Sequence, residues 1–171
     1  MPGSAAAVIA DTGPLHYLVL IGHIDVLPRL FGAVAVPVTV IDELRHPNAP
    51  AEVRAWVDAH PSWLTVYPDP AALPAGLRRL DPGELVAIAL AKMLGAGLLL
   101  IDDRAGTTAA RGLGLETVGT VGVLTRAAGA GLLDLPAAVT ALRTTNFRSP
   151  VALFDALLDD HRRRRDAKSE S

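Results

Sequence analysis

Short apolar runs alternate along this chain with longer segments whose apolar positions recur at helical spacing. Ala6–Ala10 is apolar throughout and is closed by Asp11-Thr12-Gly13-Pro14. A continuous run of this length, bounded by turn residues, reads as a buried strand. Ala33–Val36, Leu64–Tyr67, Leu98–Ile101 and Glu116–Val118 are read as four more short strands. Pro14 is read as a first helical residue, leading a short helix through Leu15, Leu18, Val19 and Ile21, with another over Ile24–Phe31. Further helices are expected from Pro37 to about Arg45, over Ala51–Ala59, from about Ala105 to Leu113, over Val121–Gly129, near Pro136–Arg143 and over Pro150–Arg163. The best-marked helix opens at Asp81-Pro82-Gly83-Glu84. Asp81 is its expected cap, Pro82 its first turn, and Glu84 fills the reciprocal place of a capping box. Its apolar face runs through Leu85, Ile88 and Ala89 to about Leu94, and Gly95–Gly97 breaks it. Strands alternating with helices predict the α/β class, with a parallel sheet covered on both faces.

Composition narrows the class. The 171 residues suit one compact domain, and half are hydrophobic, enough for a sizeable core. No apolar run reaches the roughly 18 residues that a membrane span needs. The N-terminal segment lacks the basic start and apolar core of a secretory signal, and a cytoplasmic location is the expectation. With no cysteine in the chain, disulfides and thiolate metal sites are excluded, so any metal must use oxygen or imidazole ligands. Residues 1–160 carry 11 Lys/Arg against 16 Asp/Glu, whereas residues 161–171 carry 5 against 2. The basic excess is therefore confined to the end of the chain, around Arg162–Arg165, where a solvated helix end explains it as well as a nucleic-acid contact does.

Five acids carry the candidate chemistry: Asp11, Glu43, Glu84, Asp102 and Asp103. Asp11 and the Asp102–Asp103 pair close apolar strands, and in an open α/β sheet the carboxyl ends of strands face the ligand crevice. Each acid also has a purely structural reading. Asp11, Asp102 or Asp103 can cap a helix, Glu84 can complete the capping box, and one of the neighbours Asp42 and Glu43 must face water. The adjacent pair is harder to explain, because one cap needs one residue. At about 4 Å and an effective dielectric near 20, two like charges cost roughly 4 kcal/mol before screening, and a divalent cation offsets that. Two strand-end acids plus two helix acids without cysteine make a hard-oxygen site suited to Mg²⁺ or Mn²⁺.

In this order and spacing, five stretches resemble the PIN-domain nucleases. They are Ile9–Leu15, Val36–Leu44, Leu80–Glu84 with its alanine-rich helix, Leu99–Asp103 and Val118–Leu124. The resemblance is to a VapC-like bacterial and archaeal subgroup described as predicted nucleic-acid-binding proteins, and it covers roughly residues 6–150. It implies a three-layer α/β/α fold around a central, mostly parallel sheet, often dimeric. It places the nuclease domain at 1–150, with a C-terminal helix and basic tail over 151–171. Asp11, Glu43, Glu84 and Asp102 match the family's four acidic positions, with Asp103 as an accessory acid. Many relatives carry a hydroxyl two places before the last acid, where this chain has Leu100 or Ile101. Relatives also carry a basic residue near the positions of Thr107 and Thr108, for which Arg104 and Arg111 are the nearest candidates.

The function so implied is metal-dependent endoribonuclease, the toxin of a type II toxin–antitoxin pair, acting as a homodimer and blocked by a small antitoxin protein. Asp11 and Asp102 are expected to hold a first cation, with Glu84 completing its shell. Glu43 would orient water, and Asp103 would help recruit a second cation with the substrate phosphate. Arg45, Arg104, Arg111 and Arg162 are the candidate RNA contacts. RNA rather than DNA follows from the resemblance alone. The alternative is a catalytically weak PIN-like scaffold that binds RNA or a protein. Receiver and phosphatase readings fit less well, because Asp11-Thr12-Gly13 lacks a second acid after the first strand. A dinucleotide-binding module fails because Gly112–Gly114 does not follow a strand.

Overall fold

The structure is a computed structural model that describes residues 7–149 and 151–171. Five strands form one all-parallel sheet in the order β3-β2-β1-β4-β5, with β1 at Val8–Ala10, β2 at Val34–Pro37, β3 at Leu64–Tyr67, β4 at Leu98–Leu100 and β5 at Thr117–Val118. Around it lie α1 (Thr12–Leu20), α2 (Val26–Phe31), α3 (Val38–Leu44), α4 (Ala51–Asp58) and α5 (Pro82–Leu94). The chain continues through α6 (Arg104–Gly112), α7 (Thr120–Gly129), α8 (Leu135–Arg143) and α9 (Val151–Ser169). The expected α/β/α architecture is therefore observed.

Alternation along the strands builds two cores. Ile9, Ala35 and Leu99 point to one face, where they meet Ala87, Ile88, Leu90 and Ala91 of α5 and Ala110 of α6. Ala10, Val34, Val36, Leu98 and Leu100 point to the other, against Leu15 and Leu18 of α1, Val40 of α3, Leu124 of α7 and Leu142 of α8. Burial on both faces is the reason these strands read as continuous apolar runs rather than alternating ones. Leu99 is fully buried at the centre of the sheet. Leu99→Ala should cost about 2–5 kcal/mol through lost contacts and the cavity left behind, measurable as a lower urea midpoint with an unchanged slope.

Three local readings need correction. The first helix begins at Thr12, two residues before Pro14, and the proline sits within the first turn, where its missing N–H is harmless. Asp81 stands at the N-cap of α5 in an extended conformation, but its side chain makes no cap hydrogen bond. Asp81 therefore does not close the capping box read from the sequence. The last helix runs to Ser169 rather than ending near Arg163, so Arg162–Arg165 are helical. Its N-terminal part is tied to the body by Phe154, which is buried in the larger core. The domain boundary read at residue 150 falls outside the described residues. Among the described residues, no helix is long and apolar enough to cross a membrane.

Candidate active site

The chain steps outward from β1 through β2 to β3, then returns to lay β4 on the other side of β1. The strand order thus reverses between β1 and β4, and the crevice beyond the carboxyl ends at such a point is where open sheets bind ligands. Ala10 and Leu100 are in register, and the Asp11 N–H donates to the Leu100 carbonyl at 2.8 Å. This backbone pairing carries Asp11 and Asp102 to the same edge. A pocket of about 400 Å³ opens there, lined by all five expected acids together with Thr12 and Asp81. Residues separated by up to about ninety positions meet because β1, α3 and β4 end, and α5 begins, at this edge.

Each acid has a distinct environment. Glu43 faces the pocket while its neighbour Asp42 faces solvent. Its Oε1 accepts from the Gly83 N–H at 2.9 Å, and its Oε2 accepts from the Thr12 hydroxyl. Glu43 thereby ties α3 to the first turns of α1 and α5. Asp102 accepts from both the backbone N–H and the hydroxyl of Thr120, each at 2.6 Å. Asp103 is the N-cap of α6 and accepts from the Gly106 N–H at 2.9 Å. Asp11 is only 5% exposed, and its Oδ1 has no hydrogen-bond partner among the described residues.

Glycines permit this close approach. A Cβ on Gly83 would overlap the Glu43 carboxylate, and one on Gly119 would stand 2.9 Å from Asp102 Oδ1. At these two positions the backbone approaches the acids closely because no side chain intervenes.

The field of the site opposes its own charge. Burial pushes Asp11 up to about 7, with the carboxylates of Glu84, Glu43 and Asp102 adding to the effect and the Thr12 backbone N–H opposing it. Burial also pushes Glu84 up to about 7, reinforced by Asp103, Asp81 and Glu43. Asp102 is raised by burial and partly held down by its two bonds from Thr120. Thr120→Val removes one of those donors and should destabilise the fold by about 1–3 kcal/mol. Urea unfolding of the metal-free protein at pH 8 measures this, and an unchanged midpoint would show that the hydroxyl bond carries no weight.

An unpartnered buried carboxylate oxygen, several like charges and glycine-lined space fit a hard cation. Against this, no three of these side chains stand in ready-made ligand geometry among the described residues, and Glu43 and Asp102 spend oxygens on local donors. Mg²⁺ tolerates that arrangement, because it commonly takes one or two protein carboxylates and keeps several waters.

The basic candidates are dispersed. Arg45 pairs with Asp58, Arg162 pairs with Asp159, and Arg111 donates to Thr117, all exposed and none lining the acid pocket. Arg104 opens α6 and lines a neighbouring pocket with Asp102 and Asp103. The roles of Thr12 and Thr120 as donors to Glu43 and Asp102 come from the fold and not from the sequence. The family's hydroxyl is lacking at Leu100 and Ile101, and here two threonines elsewhere supply hydroxyls to the acids. The signal available was Gly119-Thr120 at a strand-to-helix turn.

No curated protein matches the chain significantly. Among solved structures, a PilT N-terminus domain protein from the hyperthermophilic archaeon Sulfolobus solfataricus is similar at 15% identity and a TM-score of 0.47, over 84% of this chain and 98% of that one. A family model described as PIN domain, DUF3368, matches residues 7–165, nearly the whole chain. The chain belongs to the PIN-domain family.

Proposed function

We propose that this protein is a metal-dependent endoribonuclease that hydrolyses RNA phosphodiester bonds at the acid pocket. PIN domains are generally nucleases, which supports the reaction class. The observation that carries the reading for this chain is Asp11: a buried carboxylate at the sheet's switch point, with one oxygen unpartnered among the described residues and other acids around it. Asp11 and Glu84 are the groups that would hold a Mg²⁺ or Mn²⁺ ion, with Asp102 beside them. When bound, such a cation supplies Lewis acidity toward the phosphoryl oxygens and lowers the pKa of water. Glu43 keeps the first turns of α1 and α5 together through Thr12 and Gly83, and so fixes the distance between Asp11 and Glu84. Thr120 holds the Asp102 carboxylate against rotation with two bonds. Asp103 anchors the start of α6 and with it Arg104.

Incubation of mixed RNA with Mg²⁺, Mn²⁺ or EDTA tests the proposal. Cleavage with either metal and none with EDTA is expected, and intact RNA under all three conditions would refute it. The engaged oxygens of Glu43 and Asp102 favour a second reading, a catalytically weak PIN-like scaffold. It predicts RNA binding without turnover. The toxin role, a small antitoxin over the acid pocket, a homodimer and a cytoplasmic setting belong to the first reading and derive from the family resemblance.

A further inference from the structure

A second pocket of about 400 Å³ adjoins the acid pocket, and Asp102 and Asp103 line both. Its remaining walls have a different chemistry. Tyr17 comes from α1, Arg104 from the start of α6, and Asn146, Phe147 and Arg148 from the connection between α8 and α9. Residues 145–147 of this connection are braced by packing and hydrogen bonds. The Tyr17 hydroxyl donates to Asn146 Oδ1 at 3.0 Å, and the Tyr17 ring meets Phe147 edge to face with centroids 4.9 Å apart. The Phe147 N–H donates to the Thr145 hydroxyl at 3.1 Å, and Phe147 packs against the larger core.

Two features of these walls ask for a ligand. Arg126 and Arg143 pair with Glu116 and Asp155, whereas neither Arg104 nor Arg148 lies within salt-bridge distance of a carboxylate among the described residues. Oδ1 of Asn146 accepts from Tyr17, and the amide carries two further N–H donors. A polyanion approaching the acid pocket meets repulsion from its carboxylates, and two unpaired guanidiniums at the rim offset that and grip phosphate through their planar donor forks.

We propose that this second pocket is a nucleotide subsite for single-stranded RNA, in which Arg104 and Arg148 hold the phosphate next to the one cleaved and Tyr17 and Asn146 meet its base. The proposal deepens the ribonuclease reading and rests on it for the identity of the neighbouring site. A base can enter such a recess only when unpaired and unstacked, which selects single strands over duplex.

The test compares a dinucleotide and a tetranucleotide RNA on wild type and on Arg104→Ala/Arg148→Ala. Dissociation constants are read by fluorescence anisotropy in EDTA, and KM and kcat by cleavage in Mn²⁺. Wild type should bind the tetranucleotide about tenfold or more tightly than the dinucleotide, and the double variant should lose that gain, with the loss falling on KM. Arg148→Lys should keep part of it, since charge remains and the fork does not. Equal gain in wild type and double variant, with unchanged melting, would overturn the subsite. An arginine-dependent gain in binding without any cleavage by wild type in Mn²⁺ would uphold the subsite and overturn the ribonuclease reading instead.

Discussion

Asp11→Asn should abolish metal-dependent RNA cleavage while making the metal-free protein more heat-stable. The activity loss is expected at roughly 10³-fold or more, since several kcal/mol of charge stabilisation depend on the cation that Asp11 would hold. The stability gain follows from burial. Asp11 is pushed from 3.8 to about 7 in the folded protein, so the folded state prefers its protonated form. The sign is that of an acid raised on folding: the penalty is absent below the unfolded value, grows as pH rises through the range between the two, and is complete above about 7. At pH 8 the charged carboxylate therefore costs the fold a few kcal/mol, and a neutral amide of the same shape escapes that cost. For a chain of this size the Tm should rise by about 5–10 °C in EDTA at pH 8. The gain should shrink toward pH 5, where wild-type Asp11 is itself neutral. Scanning calorimetry at the two pH values reads this directly, and a variant that melts below wild type at pH 8 would show that Asp11 is not under electrostatic strain.

The affinity for Mn²⁺ should fall steeply below neutral pH. Asp11 and Glu84 both stand at about 7, and a cation must displace the protons that such groups carry. With one or two protons released, affinity should drop about ten- to a hundredfold for each pH unit below 7 and flatten above about pH 8. Isothermal titration in buffers of different ionisation enthalpy would count those protons. A constant affinity between pH 6 and pH 8 would mean that neither acid takes part in binding. Glu84 is only half-buried, so solvent screening will soften its share relative to that of Asp11.

Features set by neighbours in sequence were legible in it. The Leu64–Tyr67 strand and the Pro82–Leu94 helix occur with the boundaries read from apolar runs, Pro82 and the Gly95 break. Gly95 takes the left-handed conformation that ends a helix. The strand-end positions of Asp11 and Asp102 were legible for the same reason. Features set by strand pairing were not. Asp102 and Thr120 meet only because β4 and β5 lie side by side, and nothing in their separation of 18 residues announces it. The Glu43 bond to Gly83 spans 40 residues and depends on α3 and α5 converging. Asp81 resembled a cap by position, yet its side chain lines the acid pocket without bonding to the helix. The last helix outran its expected end, and within the charged run that read as a tail Arg162 and Arg164 pair with Asp159 and Asp160 at helical spacing.

Crystals grown or soaked with Mn²⁺ at pH 8, measured at the manganese absorption edge, test the central claim most directly. An anomalous peak is expected in the pocket at the ends of β1 and β4, within coordinating distance of Asp11 and of an oxygen from Glu84 or Asp102. A peak elsewhere, or an empty pocket in crystals of a protein that cleaves RNA in Mn²⁺, would contradict it.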